Sequence, residues 1–123
     1  MKRILIIDDA ATVRLYHRNI LEAAGYAVEE AVNGIEALEK VMQTPFDLYV
    51  VDINMPKLDG YGFLKEMRRQ DIDQAPAIMV STEAEADDRQ RAYRAGANLY
   101  LIKPVKPAEL LIHVHLLLGE VRA

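Results

Sequence analysis

Four short apolar runs constrain the fold of this chain more than any other feature of its sequence. Each is four residues long, and they are Ile4–Ile7, Leu48–Val51, Ala77–Val80 and Leu99–Ile102. None alternates between apolar and polar residues, which is typical of parallel strands that are covered on both faces. A fifth candidate, Tyr26–Ala31, contains Glu29 and Glu30. Its polarity predicts a strand near the edge of the sheet.

The segments between these runs have the periodicity of amphipathic helices. Asn33 followed by Glu36 is typical of a capping box at the start of the second helix. The inward stripe of that helix is predicted to comprise Ile35, Leu38, Val41 and Met42. Strand and helix patterns alternate five times, which predicts an α/β fold: a (βα)₅ domain with a doubly wound, parallel five-stranded sheet. The ligand site of such a sheet lies at the carboxyl ends of its strands.

The composition agrees with one compact domain and excludes several classes of function. The chain has 123 residues, of which 51% are hydrophobic, so we expect a single domain over residues 1–123. A net charge of −4 argues against direct nucleic-acid binding, and the absence of cysteine excludes disulfides, thiolate metal sites and cysteine nucleophiles. Because no apolar run is long enough for a membrane span or a signal peptide, we expect a cytoplasmic protein.

Polar side chains follow four of the five runs at the point where each ends. Asp8 and Asp9 follow the first run, Asp52 the third, Ser81 the fourth and Lys103 the fifth. Because the carboxyl ends of parallel strands meet at one edge, we expect these side chains to lie close together. Carboxylate ligands favour a hard cation, and a site shared with phosphate favours Mg²⁺. With a lysine and a hydroxyl group, the set predicts phosphoryl transfer to a carboxylate.

The residues above occur together with the motifs Asp52-Ile53-Asn54-Met55-Pro56, Asp59-Gly60 and Lys103-Pro104. In this combination of motifs, the chain resembles the response-regulator receiver family over essentially its whole length. The resemblance implies the flavodoxin-like CheY fold with strand order 2-1-3-4-5. It also implies a stand-alone response regulator of a two-component system, phosphorylated by a histidine kinase or a phosphotransfer protein. Such a protein is no conventional enzyme, because it catalyses only its own phosphorylation and slow autodephosphorylation. Since the sequence stops after the fifth helical segment, we expect no output domain.

The resemblance also assigns roles to the site residues. Asp52 is expected to be the phosphoacceptor, Lys103 to pair with the phosphoryl group, and Ser81 to hydrogen-bond it. Ser81 and Tyr100 are expected to form the switch that carries phosphorylation to a downstream protein target. The alternative for Tyr100 is an ordinary edge-strand aromatic. The ligands expected for Mg²⁺ are Asp8, Asp9, Asp52 and Asn54.

Two further positions are expected to tune dephosphorylation, Asn54 and Glu83. Glu83 has a plain alternative, a solvated side chain without a role. Val105 departs from the family, which usually has a phenylalanine there, and this predicts different packing beside the last loop. The Lys-Pro peptide bond of the family is commonly cis, and the resemblance implies the same for the Lys103–Pro104 bond.

The last helical segment carries an apolar pair outside its main stripe. The stripe consists of Leu110, Leu111, Val114, Leu117 and Leu118. Ile112 and Leu116 point to the opposite side, where we expect them to contribute to a partner interface or to a phosphorylation-linked homodimer. Incidental exposure of the pair is the alternative. His17 falls on the inner stripe of the first helix, and His113 and His115 lie in the last helix. All three are expected to be surface or half-buried residues without a catalytic role.

Two alternatives stay open at this point. A phosphohydrolase of the haloacid-dehalogenase type also forms an aspartyl phosphate, but its Asp-x-Asp motif differs from the adjacent Asp8-Asp9. Steady turnover of a phosphate ester would support it. The other alternative is a pseudo-receiver, an interaction module that is never phosphorylated. Failure to label Asp52 would support that assignment.

Overall fold

The computed structural model of the protein describes residues 1–120. Its strands are β1 (Arg3–Ile7), β2 (Ala27–Ala31), β3 (Leu48–Asp52), β4 (Ala77–Ser81) and β5 (Leu99–Ile102). Its helices are α1 (Ala11–Ala23), α2 (Gly34–Gln43), α3 (Gly60–Arg68), α4 (Ala86–Ala95) and α5 (Pro107–Leu117). The strands and helices alternate along the chain, so the predicted (βα)₅ pattern is confirmed.

The five strands form one parallel sheet. Their order is β2-β1-β3-β4-β5, which confirms the expected topology and places the polar strand β2 at an edge. Successive side chains of a strand point to opposite faces of the sheet. In β1, accordingly, Leu5 and Ile7 join one hydrophobic cluster, whereas Ile4 and Ile6 join the other. Both faces are buried, and this is why the strand sequences do not alternate.

The helices divide between the two faces. The cluster that contains Ile4 includes Leu21 from α1 and Val114 from α5. The cluster that contains Leu5 includes side chains from α2, α3 and α4, among them Val41, Phe63 and Ala92. This arrangement leaves the loops that follow the central strands at the carboxyl edge of the sheet, where side chains can converge on a ligand.

Several helix ends follow the local chemistry of the sequence. The Asn33 side chain accepts a hydrogen bond from the Glu36 amide at 2.9 Å, which confirms the predicted cap of α2. Asp59 caps α3 in the same way through the Gly62 amide at 2.8 Å. Helix α4 ends at Gly96, whose φ of 117° is a left-handed conformation that glycine adopts without strain.

The predicted inward face of α2 was wrong for two residues. Ile35 and Met42 are 43% and 54% exposed, whereas Ala37 and Val41 are buried and Leu38 is partly buried. Helical spacing permits a stripe centred on either set. The side facing the core carries the smaller residues because α2 lies close to the loop before α3: the Gly34 amide donates to the Leu58 carbonyl at 3.0 Å.

The last helix has the exposure that its sequence predicts. Leu110 and Val114 are buried, while Ile112 and Leu116 are 57% and 62% exposed. Of the helices that the structure describes, none is both long and apolar enough to cross a membrane.

Two of the three histidines agree with the sequence prediction, since His113 and His115 are half-buried. His17 is fully buried, which confirms its place on the inner stripe of α1 but contradicts the expected partial exposure. His17 lies one helical turn before the buried Leu21, so its ring shares the face of α1 that packs on the sheet.

Candidate functional site

Three carboxylates meet at the carboxyl ends of β1 and β3. Asp8, Asp9 and Asp52 each place one oxygen within 4.8 Å of the others. Asp8 and Asp52 are buried, whereas Asp9 is exposed. The sequence predicted this convergence because β1 and β3 are neighbours that end at the same edge.

Lys103 completes the cluster from the end of β5. Its ammonium donates to Asp52 Oδ1 at 2.9 Å and to Asp8 Oδ2 at 3.0 Å. The Lys103 amide donates to the Ser81 carbonyl at 2.7 Å, and the Lys103–Pro104 peptide bond is cis, as expected. Burial alone would lower the pKa of Lys103, but the hydrogen bonds that Lys103 donates to Asp52 and Asp8 outweigh it and raise this pKa. Lys103 is therefore held as a charged ammonium between two strand ends.

The charge on Asp52 is less well compensated. Burial raises the pKa of Asp52, the hydrogen bond from Lys103 opposes that shift, and the nearby Asp8 raises the pKa further. One ammonium thus serves a cluster of three carboxylates. A second cation here would relieve the repulsion, and the all-oxygen donors match a hard divalent ion.

Asp8 is held by hydrogen bonds at each of its polar groups. Its amide donates to the Ala31 carbonyl at 3.1 Å, and its carbonyl accepts from Arg14 Nη1 at 2.7 Å. Its side chain accepts from the Ala10 amide at 2.9 Å and from Lys103. Arg14 could not be predicted from the sequence, because a side-chain contact to a main-chain oxygen six residues earlier leaves no motif.

Ser81 and Tyr100 lie on either side of the loop that follows β4. Ser81 is buried, and its Oγ accepts from the Glu83 amide at 3.0 Å. Tyr100 is also buried, and its hydroxyl donates to the Glu83 carbonyl at 2.7 Å. The Arg89 guanidinium of α4 lies 5.1 Å from the Tyr100 ring centroid. The loop that begins at Ser81 is thereby connected to β5 and α4.

The remaining predicted residues lie around the site or away from it. Asn54 and Glu83 are exposed and lie on the loops after β3 and β4, which are adjacent strands. Val105 is buried, and its carbonyl accepts from the Tyr16 hydroxyl at 3.0 Å. Ile112 and Leu116 lie on the exposed side of α5 and take no part in the carboxylate cluster.

The family model for the response regulator receiver domain matches residues 4–115. This chain belongs to the response-regulator receiver family. Receiver domains are signalling domains and not conventional enzymes, and they interact with histidine kinases and downstream effectors.

The receiver also resembles parts of longer curated proteins. It is 35% identical over 116 residues to the transcriptional regulatory protein ResD of Bacillus subtilis, a match that covers 94% of this chain and 48% of ResD. It is 37% identical over 111 residues to the sensor protein EvgS of Escherichia coli, which covers 90% of this chain and 9% of EvgS. The receiver thus spans about half the length of ResD and a small part of EvgS.

Solved structures confirm the fold. The chemotaxis protein CheY4 of Vibrio cholerae superposes with a TM-score of 0.90 at 35% identity, over 95% of this chain and 98% of that one. The receiver domain of the sensor histidine kinase PA1611 from Pseudomonas aeruginosa gives a TM-score of 0.89 at 31% identity, over 96% and 98%. That structure has a magnesium ion coordinated in its active-site cleft.

The carboxylates of this receiver fit the ion that receiver domains bind. The cluster consists of Asp8, Asp9 and Asp52 and contains no nitrogen or sulfur ligand. Its exposed member, Asp9, opens the site to solvent, which suits an ion that keeps some of its water ligands.

Proposed function

We propose that this receiver is a phosphorylation-driven switch of a two-component system, with Asp52 as its phosphoacceptor. The observation that carries the proposal is the contact of Lys103 with both Asp52 and Asp8 beside a third carboxylate. Before transfer, the ammonium offsets the charge of the two buried acids. After transfer, it can pair with the phosphoryl oxygens without leaving the site.

The metal ion of this proposal is Mg²⁺. The side chains of Asp8, Asp9 and Asp52 and the main-chain carbonyl of Asn54 would hold it. When bound, the ion supplies positive charge that offsets the negative charge on the phosphoryl oxygens.

The reaction is phosphoryl transfer from a phosphohistidine of a histidine kinase or a phosphotransfer protein. An Asp52 carboxylate oxygen bonds to phosphorus while the phosphorus–nitrogen bond of the donor breaks, and the leaving imidazole keeps the electron pair. Lys103 stabilises the phosphoryl charge, and the Ser81 hydroxyl donates to a phosphoryl oxygen. Since Asp52, Lys103 and Ser81 belong to one chain, the receiver also accepts a phosphoryl group from small phosphodonors. Slow autodephosphorylation, tuned by Asn54 and Glu83, resets it.

The switch consists of Ser81 and Tyr100. If Ser81 turns toward a phosphoryl oxygen, its Oγ leaves the Glu83 amide. The Glu83 carbonyl that holds Tyr100 belongs to the same loop, so the loop couples Asp52 to the face formed by α4, β5 and α5. A downstream protein target reads this face, which also supports a phosphorylation-linked homodimer. Residues 1–123 form a single receiver domain in this proposal.

Phosphorylation of Asp52 can be tested directly. The protein is incubated with Mg²⁺ and acetyl phosphate and examined by intact-protein mass spectrometry. We expect a base-labile mass increase of about 80 Da, the mass of one phosphoryl group, in the wild type. The Asp52→Asn variant and a wild-type sample treated with EDTA should not gain it.

The same experiment distinguishes the alternatives. Label that persists in Asp52→Asn would remove Asp52 as the acceptor. A folded wild type that is never labelled would support the pseudo-receiver, and continued release of phosphate from simple phosphate esters would support the phosphohydrolase.

A further inference from the structure

We propose that Arg14 is a positioning residue for the metal-binding carboxylates, acting through the peptide unit between Asp8 and Asp9. The inference rests on the proposed function, in which these carboxylates hold Mg²⁺. Arg14 Nη1 donates to the Asp8 carbonyl at 2.7 Å, and Arg14 Nε donates to Glu30 Oε1 at 2.8 Å. One guanidinium therefore connects the loop after β1 to the edge strand β2.

The Glu30 end of this connection is itself fixed. Glu30 lies in β2, and in the pairing of β2 with β1 it is opposite Ile6. Its second carboxylate oxygen accepts from Arg18, and its main-chain carbonyl accepts from Lys40. The hydrogen bond from Arg18 is the main reason why the pKa of Glu30 is lowered, with burial opposing it and Arg14 adding to it. Arg14 thus has a charged partner that further hydrogen bonds hold in place.

The Asp8 end of the connection lies between two proposed ligands. The Asp8 carbonyl and the Asp9 amide belong to one planar peptide unit, so a hydrogen bond to this carbonyl restricts rotation of the whole unit. That rotation decides where the exposed Asp9 carboxylate points relative to Asp8. A loop already held in one orientation loses less conformational entropy when an ion binds.

Positioning and simple electrostatics predict opposite results for Arg14. The guanidinium is positively charged, so by charge alone its removal would strengthen the binding of a cation. If Arg14 positions the loop, its removal weakens binding instead. Groups behind the direct ligands commonly change metal affinity by roughly 10-fold or more.

Arg18 provides the matched control. It carries the same charge, lies one turn along α1 and bonds the same Glu30 carboxylate, but its other partner is Glu22 and not Asp8. Arg14→Gln and Arg18→Gln therefore change the net charge equally, and only the first removes the contact with Asp8.

The experiment measures Mg²⁺ affinity by titrating MgCl₂ into ¹⁵N-labelled protein without a phosphodonor. We expect the dissociation constant of Arg14→Gln to rise roughly 10-fold and that of Arg18→Gln to stay within about 2-fold of the wild type. Arg14→Lys should bind Mg²⁺ as weakly as Arg14→Gln, because one ammonium does not reproduce the hydrogen bonds that the guanidinium makes to both the Asp8 carbonyl and Glu30. Thermal unfolding of each variant shows whether it is folded at the titration temperature.

A second pair of variants covers the case in which Arg14→Gln does not fold. Glu30→Gln weakens the anchor of Arg14, whereas Glu29→Gln makes the same charge change at a residue that pairs with Arg3. We expect weaker Mg²⁺ binding in Glu30→Gln than in Glu29→Gln.

Three results would overturn the inference. They are unchanged or tighter binding in Arg14→Gln, equal weakening in Arg18→Gln, and equal affinity of the two glutamate variants when Arg14→Gln is unfolded. With Asp52 still labelled in the wild type, each of these leaves the proposed function intact. A wild type that binds no Mg²⁺ would overturn both proposals.

Discussion

The Lys103 ammonium lies 2.9 Å from a carboxylate oxygen of Asp52, although 51 positions separate the two residues in the sequence. It reaches Asp8 at 3.0 Å as well, so one side chain bridges the ends of β1, β3 and β5. Without this lysine, two buried carboxylates would face each other uncompensated. The local stability of this carboxylate cluster therefore depends on Lys103.

Lys103→Met should lower the free energy of unfolding at pH 7 by about 1–3 kcal/mol, because it leaves buried carboxylates unpaired. The lysine hydrogen bond opposes the upward shift of the Asp52 pKa, so that pKa should rise further in the variant. A carboxyl with a raised folded-state pKa regains stability as the pH falls through that pKa. The difference in unfolding free energy between the wild type and Lys103→Met should therefore become smaller between pH 7 and pH 4.

Urea unfolding at several pH values without Mg²⁺ measures this deficit. The exposed neighbour Lys106 supplies the control, since Lys106→Met makes the same change in charge. An equal deficit in both variants, or one independent of pH, would contradict a specific role for Lys103.

Some residues of the site could be predicted from the sequence and others could not, depending on what determines the position of each side chain. Asp8, Asp52 and Lys103 were predicted because each directly follows an apolar run of the sequence, and parallel strands bring their ends together. Arg14 was not, because its contacts depend on the side-chain direction in α1 and on the position of β2. Ile35 was placed on the wrong face because packing against the loop at Leu58 selects between two acceptable stripes.

His17 should make stability depend on pH. Burial lowers the pKa of His17 below its usual value, the positive charge of Lys103 lowers it further, and Asp8 opposes the shift. Below a pH of about 6.5, the unfolded chain therefore binds a proton that the folded chain excludes. This contribution to stability is complete above that pH and is lost as the pH falls toward the folded-state pKa.

His17→Leu should abolish this dependence, because leucine has no proton to bind. The unfolding free energy of the wild type relative to the variant should fall by up to about 1.4 kcal/mol per pH unit below pH 6.5. Chemical denaturation at pH 7, 6 and 5 provides the curves. Parallel curves for the two proteins would show that His17 titrates alike in both states.

The exposed pair on α5 predicts an interface. The double variant Ile112→Asp and Leu116→Asp should weaken self-association of the phosphorylated protein at least 10-fold, because each change places a charge at a desolvated contact. The fold should be unaffected, since both side chains are more than half exposed. Sedimentation velocity with and without acetyl phosphate measures the association.

Met42→Asp is the control for that double variant. Met42 is similarly exposed but lies on α2, outside the face formed by α4, β5 and α5. Equal self-association in the wild type and the double variant, with equal binding to any captured target, would show that the pair is only incidentally exposed.

Gly60, the first residue of α3, lies against the main chain at the end of β3. Its amide donates to the Ile53 carbonyl at 2.8 Å, and a Cβ atom at this position would lie 2.3 Å from the Asp52 carbonyl oxygen. Main-chain atoms cannot rotate away as a side chain can. Gly60→Ala must therefore displace either the start of α3 or the end of β3.

We expect Gly60→Ala to lower the free energy of unfolding by roughly 1–3 kcal/mol, even though alanine is the better helix former by about 1 kcal/mol. Phosphorylation of Asp52 should also slow, because the displaced carboxylate no longer meets Lys103 correctly. Gly62→Ala has the same gain in helix propensity, but its new Cβ would contact a Leu58 methyl group at 2.5 Å, which a change of rotamer can relieve. Urea unfolding and the rate of labelling by acetyl phosphate should therefore separate the two variants. If Gly60→Ala matched Gly62→Ala in both, then the close approach of Gly60 to Asp52 would not constrain the site.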